Sequence, residues 1–325
     1  MKYAKISGTG SYLPKKILTN YDLEKLVETN HDWILERTGI IQRHIVSDDE
    51  TTVSMGVEAS LKALEAAQCE ANDIDLVIVA TLTADHTFPT AACMIQKALG
   101  IEKAGAFDVG AACAGFVYAL SVADKFIRAG DCKKILVVGT EAMSRVTDWQ
   151  DRATCVLFAD GAGAVVLEAS DEPGILSTHL HSDGGYDELL FCANPTVRSP
   201  FNPKQTSIDS PAIQMRGNEV FKLAVNTLSE VVDEALQKNK LTSEDIHWLI
   251  PHQANMRIIQ ATAKKLKAPI EKVVVTVHKQ GNTSSASIPL ALDEAVRDGR
   301  VQRGHKILME SFGGGIVWGA TLIAY

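Results

Sequence analysis

Residues 73–80 read DIDLVIVA and residues 245–252 read DIHWLIPH. Each opens on Asp-Ile and carries a short apolar run of strand length. Working outward, the neighbours of the two stretches repeat as well. In the first half LVIVATL (76–82) predicts a strand, AACMIQKALG (91–100) a helix stopped at Gly100, and AFDV (106–109) a strand. AGFVYALSVADKFIRAG (114–130) predicts a helix, with Phe116, Leu120, Ala123 and Ile127 at helical spacing and Gly130 as its stop. KKILVVGT (133–140) and AGAVVLEA (162–169) predict two further strands. In the second half IIQATAKKLKA (258–268) echoes MIQKALG, and KVVVTV (272–277) takes the place of AFDV. SIPLALDEAVRDG (287–299) is the helix, GHKILMES (304–311) echoes CKKILVVG, and GGGIVWGATLI (313–323) matches DGAGAVVLEA. Alternating strands and helices predict a layered α/β fold. The repeat predicts two similar halves, 1–172 and 173–325, with Cys113 and Asn282 at equivalent strand-to-helix corners. Their distances to the following strand are nearly equal, 22 residues to Ile135 and 25 to Ile307.

Bulk properties fit an ordinary globular protein of 325 residues, 46% apolar and 22% charged. A net charge of −8 disfavours non-specific binding to nucleic acid or to an anionic membrane. The longest apolar runs are too short to span a bilayer, and the start, MKYAKISGTGSYLPKK, lacks the features of a secretory signal. A cytoplasmic location is the expectation. None of the six cysteines makes a C-x-x-C pair, so a zinc or thioredoxin-like reading has no support. His179 and His181, neighbours on one strand face without a third ligand nearby, read as ordinary surface histidines rather than a metal site.

Three corners carry residues suited to chemistry. In FDVGAACAGFVYA (107–119) Cys113 sits among small residues where a strand ends and a helix begins. A helix N-terminus favours a thiolate, and adjacent N–H groups can hold an oxyanion. A buried filler thiol would look the same. IPHQANMRII (250–259) places His252 after an apolar strand, where a loop histidine can move protons or stabilise charge. KQGNTSSAS (279–287) offers Asn282 after Gly281, and by itself reads equally as a capped turn. SFGGGIVWGA (311–320) supplies three glycines that make a tight turn or let a backbone N–H approach a ligand. Competing motifs are missing: GTGSYL (8–13) lacks the third glycine of a dinucleotide fingerprint, and there is no P-loop, G-x-S-x-G or H-E-x-x-H.

AACAGF around Cys113, PHQAN-x-RI around His252, GNTS at Asn282 and FGGG at Phe312–Gly315 together resemble the 3-oxoacyl-[acyl-carrier-protein] synthase III family. These enzymes perform the initiating condensation of bacterial type II fatty acid synthesis. The likeness runs from GTGSYLP to the final WGA. It implies the thiolase fold, a five-layered αβαβα sandwich, and a homodimer. It implies that Cys113 accepts acetyl from acetyl-CoA as a thioester, and that His252 and Asn282 stabilise the enolate left by decarboxylation of a malonyl thioester on acyl carrier protein. The product would be a 3-oxoacyl-carrier protein with release of CoA and CO2. Cys113 and Gly315 would supply the oxyanion-hole N–H groups. CoA would be held by Thr29, Trp33 and Arg37, with Arg152 over the other side of the adenine, and with Asn218 and Phe221 along the pantetheine tunnel. Phe88 would cross the dimer interface to close the acyl pocket. Arg257, Lys264 and Lys265, spaced seven and eight apart, would share one helix face and dock the acidic carrier protein. No metal or resident cofactor is implied, acetyl-CoA being a substrate. The proline-rich stretch 191–211 reads as a loop longer than the family's, bordering the acyl tunnel.

Three other readings remain open. One keeps Cys113 but uses it for acyl transfer, or for condensation with a longer or branched primer in a secondary pathway. Another is a catalytically idle acyl-CoA-binding protein, which the presence of Cys113, His252 and Asn282 together disfavours. A nicotinamide-dependent oxidoreductase is disfavoured by the missing glycine fingerprint.

Overall fold

The computed structural model describes residues 2–193 and 212–325. The loop reading of 191–211 therefore falls, from residue 194 onward, outside the described residues. Two sheets dominate. The first runs Tyr3–Tyr12, Asp160–Ser170, Lys134–Ala142, Leu76–Ala80 and Gly105–Val109 in spatial order. The last three are parallel, and Asp160–Ser170 is antiparallel to both of its neighbours. The second sheet runs Ile175–Ser182, Val317–Ala324, Lys306–Gly313 and Trp248–Pro251. It repeats the same sense, antiparallel twice and then parallel. In the second sheet KVVVTV supplies only one bridge, Leu249 to Val273, where the first has the full strand Gly105–Val109.

Alternation along the strands sorts side chains into layers. Ile78, Ile135, Ile307 and Met309 face a shared core with Phe116, Leu120 and Ile127 of helix Gly115–Ala129 and Ile288 and Leu292 of helix Ser287–Arg297. Val77, Val79, Leu136 and Val138 face the other way, against helices Thr52–Ala67 and Ala91–Ala98. Leu249, Leu308 and Leu322 meet helices Gly217–Asn239 and Met256–Lys265. The layers thus run helix, sheet, helix, sheet, helix. Leu120 and Phe116 are fully buried in the middle layer, and each such side chain contributes about 1.5–3 kcal/mol of transfer free energy. The two middle helices start from the same sheet ends, and that brings both corners to one place.

The corners match in detail, with one shift of register from the sequence reading. Ala112 and Ser284 both have positive φ, 43° and 51°. Each opens a 3-10 turn, Ala112–Ala114 and Ser284–Ala286, that runs into its middle-layer helix. Cys113 therefore corresponds to Ser285 rather than Asn282. The spacing agrees: Ile307 follows Ser285 by 22 residues, as Ile135 follows Cys113. Asn282 sits three residues earlier, on the strand-like approach.

Candidate active site

Cys113 is buried, and its small neighbours have a physical reason. A Cβ on Gly313 would lie 2.6 Å from the Cys113 N and 2.9 Å from the Ala112 Cβ. The strand Lys306–Gly313 therefore passes against the Cys113 turn, which leaves no room for larger side chains. Ser311 Oγ also donates to the Cys113 carbonyl at 2.7 Å. Of the three glycines, Gly313 makes this contact, and Gly315 lies two residues on, before the strand Val317–Ala324. The expected thiolate is not the resting state. Burial pushes the Cys113 thiol up to about 11; the Ser284 hydroxyl works against this, and the buried Glu141 adds to it.

His252 is buried at the end of Trp248–Pro251, its backbone N–H donating to the Glu310 carbonyl at 2.8 Å. Burial lowers its pKa to about 3, so the ring is neutral at physiological pH. Its Nδ1 lies 2.6 Å from Ser287 Oγ, and the Gln253 N–H donates to that same oxygen at 3.3 Å. An N–H cannot accept, and among the described residues Nδ1 is the one other group bonded to Ser287 Oγ, so the hydroxyl hydrogen points to Nδ1 and the imidazole proton sits on Nε2. His252 is thereby set up as a neutral donor.

Asn282 is fixed from three sides. Its N–H donates to the Leu157 carbonyl and its carbonyl accepts from the Ala159 N–H, both at 2.9 Å. Its Oδ1 accepts from the Ser284 N–H at 2.9 Å, which commits the amide oxygen and leaves the NH2 group as the donor. Ser284 and Ser285 in turn donate to Glu141 Oε1 at 3.2 and 2.9 Å. Thr83 Oγ1 reaches the other oxygen at 2.6 Å. One buried carboxylate therefore ties the Asn282 turn to the sheet that carries Cys113.

The PHQAN segment divides its labour. Gln253 is fully buried and satisfied: its amide donates to Pro251 and Val274 carbonyls and accepts from the N–H groups of Thr276 and Val277. Asn255 caps helix Met256–Lys265 through the Ile258 N–H. Gln253, Ser287, Glu141 and Ser284 escape the sequence reading. Their signal is faint, because polar residues inside apolar or hydroxyl-rich runs look like ordinary caps.

The expected nucleotide-binding residues come together. Trp33 is half-buried, with the Arg37 guanidinium 4.6 Å and the Arg152 guanidinium 4.8 Å from its ring centre. Arg152 also donates to the Glu28 carbonyl at 3.1 Å, next to Thr29, whose buried Oγ1 has no partner among the described residues. Phe221 is half-buried under Arg257, 5.3 Å from ring centre to guanidinium, while Asn218 is exposed at the start of its helix. Arg257, Lys264 and Lys265 are all exposed on helix Met256–Lys265. Phe88 is 83% exposed, with Leu82 also exposed on the same loop. His179 departs from the surface reading, since it is buried; it and the half-exposed His181 both bond Glu234, at 2.8 and 2.6 Å. Among the described residues no group of three or more His, Cys, Asp or Glu is arranged to hold a metal ion. No helix among them is long and apolar enough to cross a membrane.

Comparison with known proteins agrees with this geometry. Residues 107–184 match the family model 3-oxoacyl-[acyl-carrier-protein (ACP)] synthase III, and residues 236–325 match its C-terminal companion. A beta-ketoacyl-[acyl-carrier-protein] synthase III from Methylococcus capsulatus is 57% identical over 324 residues, covering 100% of this chain and 99% of that protein. One from Xanthomonas campestris pv. campestris is 59% identical, covering 99% of this chain and 98% of its own length. The crystal structure of 3-oxoacyl-[acyl-carrier-protein] synthase III from Aquifex aeolicus superposes with a TM-score of 0.93 at 47% identity, covering 99% of this chain and 100% of that one. Its thiolase fold is the five-layered arrangement described above. A buried cysteine, a neutral histidine and a fixed asparagine at the meeting of two repeated halves, with these relatives, make this chain a member of the 3-oxoacyl-[acyl-carrier-protein] synthase III family.

Proposed function

We propose that this protein condenses acetyl-CoA with malonyl-[acyl-carrier-protein], releasing CoA and CO2 and starting fatty acid synthesis. The observation that carries the proposal is the pair of uncharged donors at one corner: His252, held neutral by burial with its Nε2 proton set by Ser287, and the Asn282 amide. The half 1–172 supplies the nucleophile and the half 173–325 supplies that pair.

The Cys113 sulfur attacks the acetyl thioester carbonyl. The Cys113 N–H and the Gly315 N–H receive the developing oxyanion, a role supported by the packing of the triple-glycine turn against the Cys113 amide. CoA thiol leaves, and acetyl stays on sulfur. A malonyl thioester then loses CO2 as its electrons move onto the thioester oxygen, where His252 and Asn282 donate. Neutral donors suit this step, because a proton held too firmly by the oxygen would stop the carbanion from attacking acetyl-Cys113. The carbanion attacks the acetyl carbonyl, forming the C–C bond and breaking the acetyl C–S bond, and the departing Cys113 thiolate takes a proton from water to return as the thiol. Two half-reactions imply ping-pong kinetics.

Thr29, Trp33, Arg37 and Arg152 hold the nucleotide end of CoA; adenine would stack on Trp33, with Asn218 and Phe221 farther along the tunnel. The exposed Arg257, Lys264 and Lys265 fit an acidic carrier protein. The exposed Phe88 fits insertion across a homodimer interface. Every step uses this chain's own side chains and backbone N–H groups with the substrates, without a resident cofactor or metal, in the cytoplasm.

Intact-protein mass spectrometry tests this. Incubation with acetyl-CoA should add one acetyl group, absent in Cys113→Ser and discharged with CO2 release when malonyl-carrier protein is added. A gain only with longer or branched acyl-CoA would keep the chemistry and change the pathway. No adduct with any acyl-CoA would make Cys113 a filler.

A further inference from the structure

Arg43 is fully buried, yet among the described residues no carboxylate pairs with it. Burial lowers its pKa to about 10, so it keeps its charge at neutral pH. A buried guanidinium without an anion is costly, and its cost is offset only by well-formed hydrogen bonds. Its fork spans three segments. One arm donates to the Leu18 carbonyl at 3.2 Å, and the other donates to Asn20 Oδ1 at 2.9 Å and to the Val156 carbonyl at 3.1 Å. Asn20 in turn donates to the Ile40 carbonyl at 2.7 Å, just past helix His31–Thr38 that carries Trp33 and Arg37.

The Val156 end leads directly to the reaction centre. The next residue, Leu157, accepts the Asn282 N–H, and Ala159 donates to the Asn282 carbonyl. The residue before Asn282 also rests on Arg43: a Cβ on Gly281, at φ 70°, would lie 3.1 Å from the Arg43 Cβ. Arg43 thus supports the Asn282 backbone from beneath and along its paired strand.

We propose that Arg43 is a positioning residue, splinting the Val156–Ala159 segment to the nucleotide-binding segment so that the Asn282 amide is held where the malonyl oxygen develops charge. The inference rests on the role proposed above for Asn282. It separates the two half-reactions, because acetyl transfer to Cys113 does not use Asn282 and decarboxylation does.

The test compares wild type with Arg43→Lys, Arg43→Met and Asn282→Ala. Acetylation of Cys113 is followed by mass spectrometry, and CO2 release from malonyl-carrier protein is followed on pre-acetylated enzyme. Arg43→Lys keeps the charge and loses the fork; Arg43→Met removes a cation whose burial could prevent folding once the fork is gone. At saturating acetyl-CoA both should acetylate Cys113 within about twofold of wild type, a looser hold on the nucleotide showing only as a raised KM for acetyl-CoA, and both should lose tenfold or more in CO2 release, following Asn282→Ala. Equal losses in both steps, or CO2 release kept in Arg43→Lys, would overturn the inference. If Asn282→Ala itself releases CO2 like wild type, the reading of Asn282 falls instead, which is a separate result.

Discussion

Ser287 makes the histidine hypothesis measurable without touching the histidine. Replacing it with alanine deletes the hydroxyl that meets His252 Nδ1 at 2.6 Å and the Gln253 N–H at 3.3 Å. Both groups are then buried without a partner. Each unpaired group costs about 1–3 kcal/mol, the longer bond toward the lower end, so about 2–4 kcal/mol is the expected total. Unfolding entropy near 2.1 cal/mol/K per residue makes that a fall in Tm of about 3–6 °C for a chain this long. The kinetic effect is separate. Without Ser287 the imidazole stays in place, but its proton is no longer committed to Nε2. Removing an oxyanion donor outright costs about 10²–10³ in rate, which sets the ceiling reached by His252→Ala. Ser287→Ala should fall short of that, at about tenfold slower CO2 release, with acetylation of Cys113 unchanged. The assay is CO2 release from malonyl-carrier protein on acetylated enzyme, beside melting curves. Unchanged CO2 release in a destabilised Ser287→Ala would refute the assigned tautomer, and an equal loss of acetylation would refute the division of labour.

Two further outcomes follow from buried charge. Cys113 ionises only as pH rises toward about 11, so its alkylation by iodoacetamide should rise about tenfold for each step of one in pH from 7 to 10; a plateau near pH 8 would contradict the burial argument. Glu310 is fully buried with neither carboxylate oxygen bonded among the described residues, and burial raises it to about 8. The folded state therefore holds a proton that the unfolded chain releases near 4.5, so stability present below that pH is lost as pH climbs toward 8. The loss grows by on the order of 1.4 kcal/mol for every tenfold fall in proton concentration across that window, and Glu310→Gln should remove most of it. Parallel Tm-against-pH curves for wild type and variant from pH 5 to 8 would count against it.

Much of the architecture is legible because layered α/β folds write their geometry into periodicity. The apolar runs at 76–80 and 248–251 are strands because they face packed layers on both sides, and the helix at 115–129 presents its apolar stripe to two sheets. The register of the repeat is less legible. Asn282 looks like the counterpart of Cys113 because both precede a helix. The true partner is Ser285, a residue with no chemical signature, marked only by the positive φ of the residue before it. KVVVTV looks like a strand, yet it makes a single bridge, since β-branched residues favour extended backbone whether or not a full partner strand lies alongside.

The sequence by itself determined which residues could do chemistry: a cysteine at a helix start, a histidine after a buried strand, an asparagine behind a glycine, and a run of three glycines. Those are properties of side chains and of local backbone. Their electrical state was decided only in three dimensions. Cys113 is a protonated thiol and His252 a neutral ring because the folded halves exclude water from both, and burial disfavours whichever form is charged. The proton on Nε2, the backbone hold on Asn282 and the splint from Arg43 depend on contacts between residues tens to hundreds of positions apart, such as Asn282 with Leu157, Arg43 with Val156 and Ser284 with Glu141. Spacing along the chain carries no record of those contacts, and only the folding of each half and its packing against the other bring them into being.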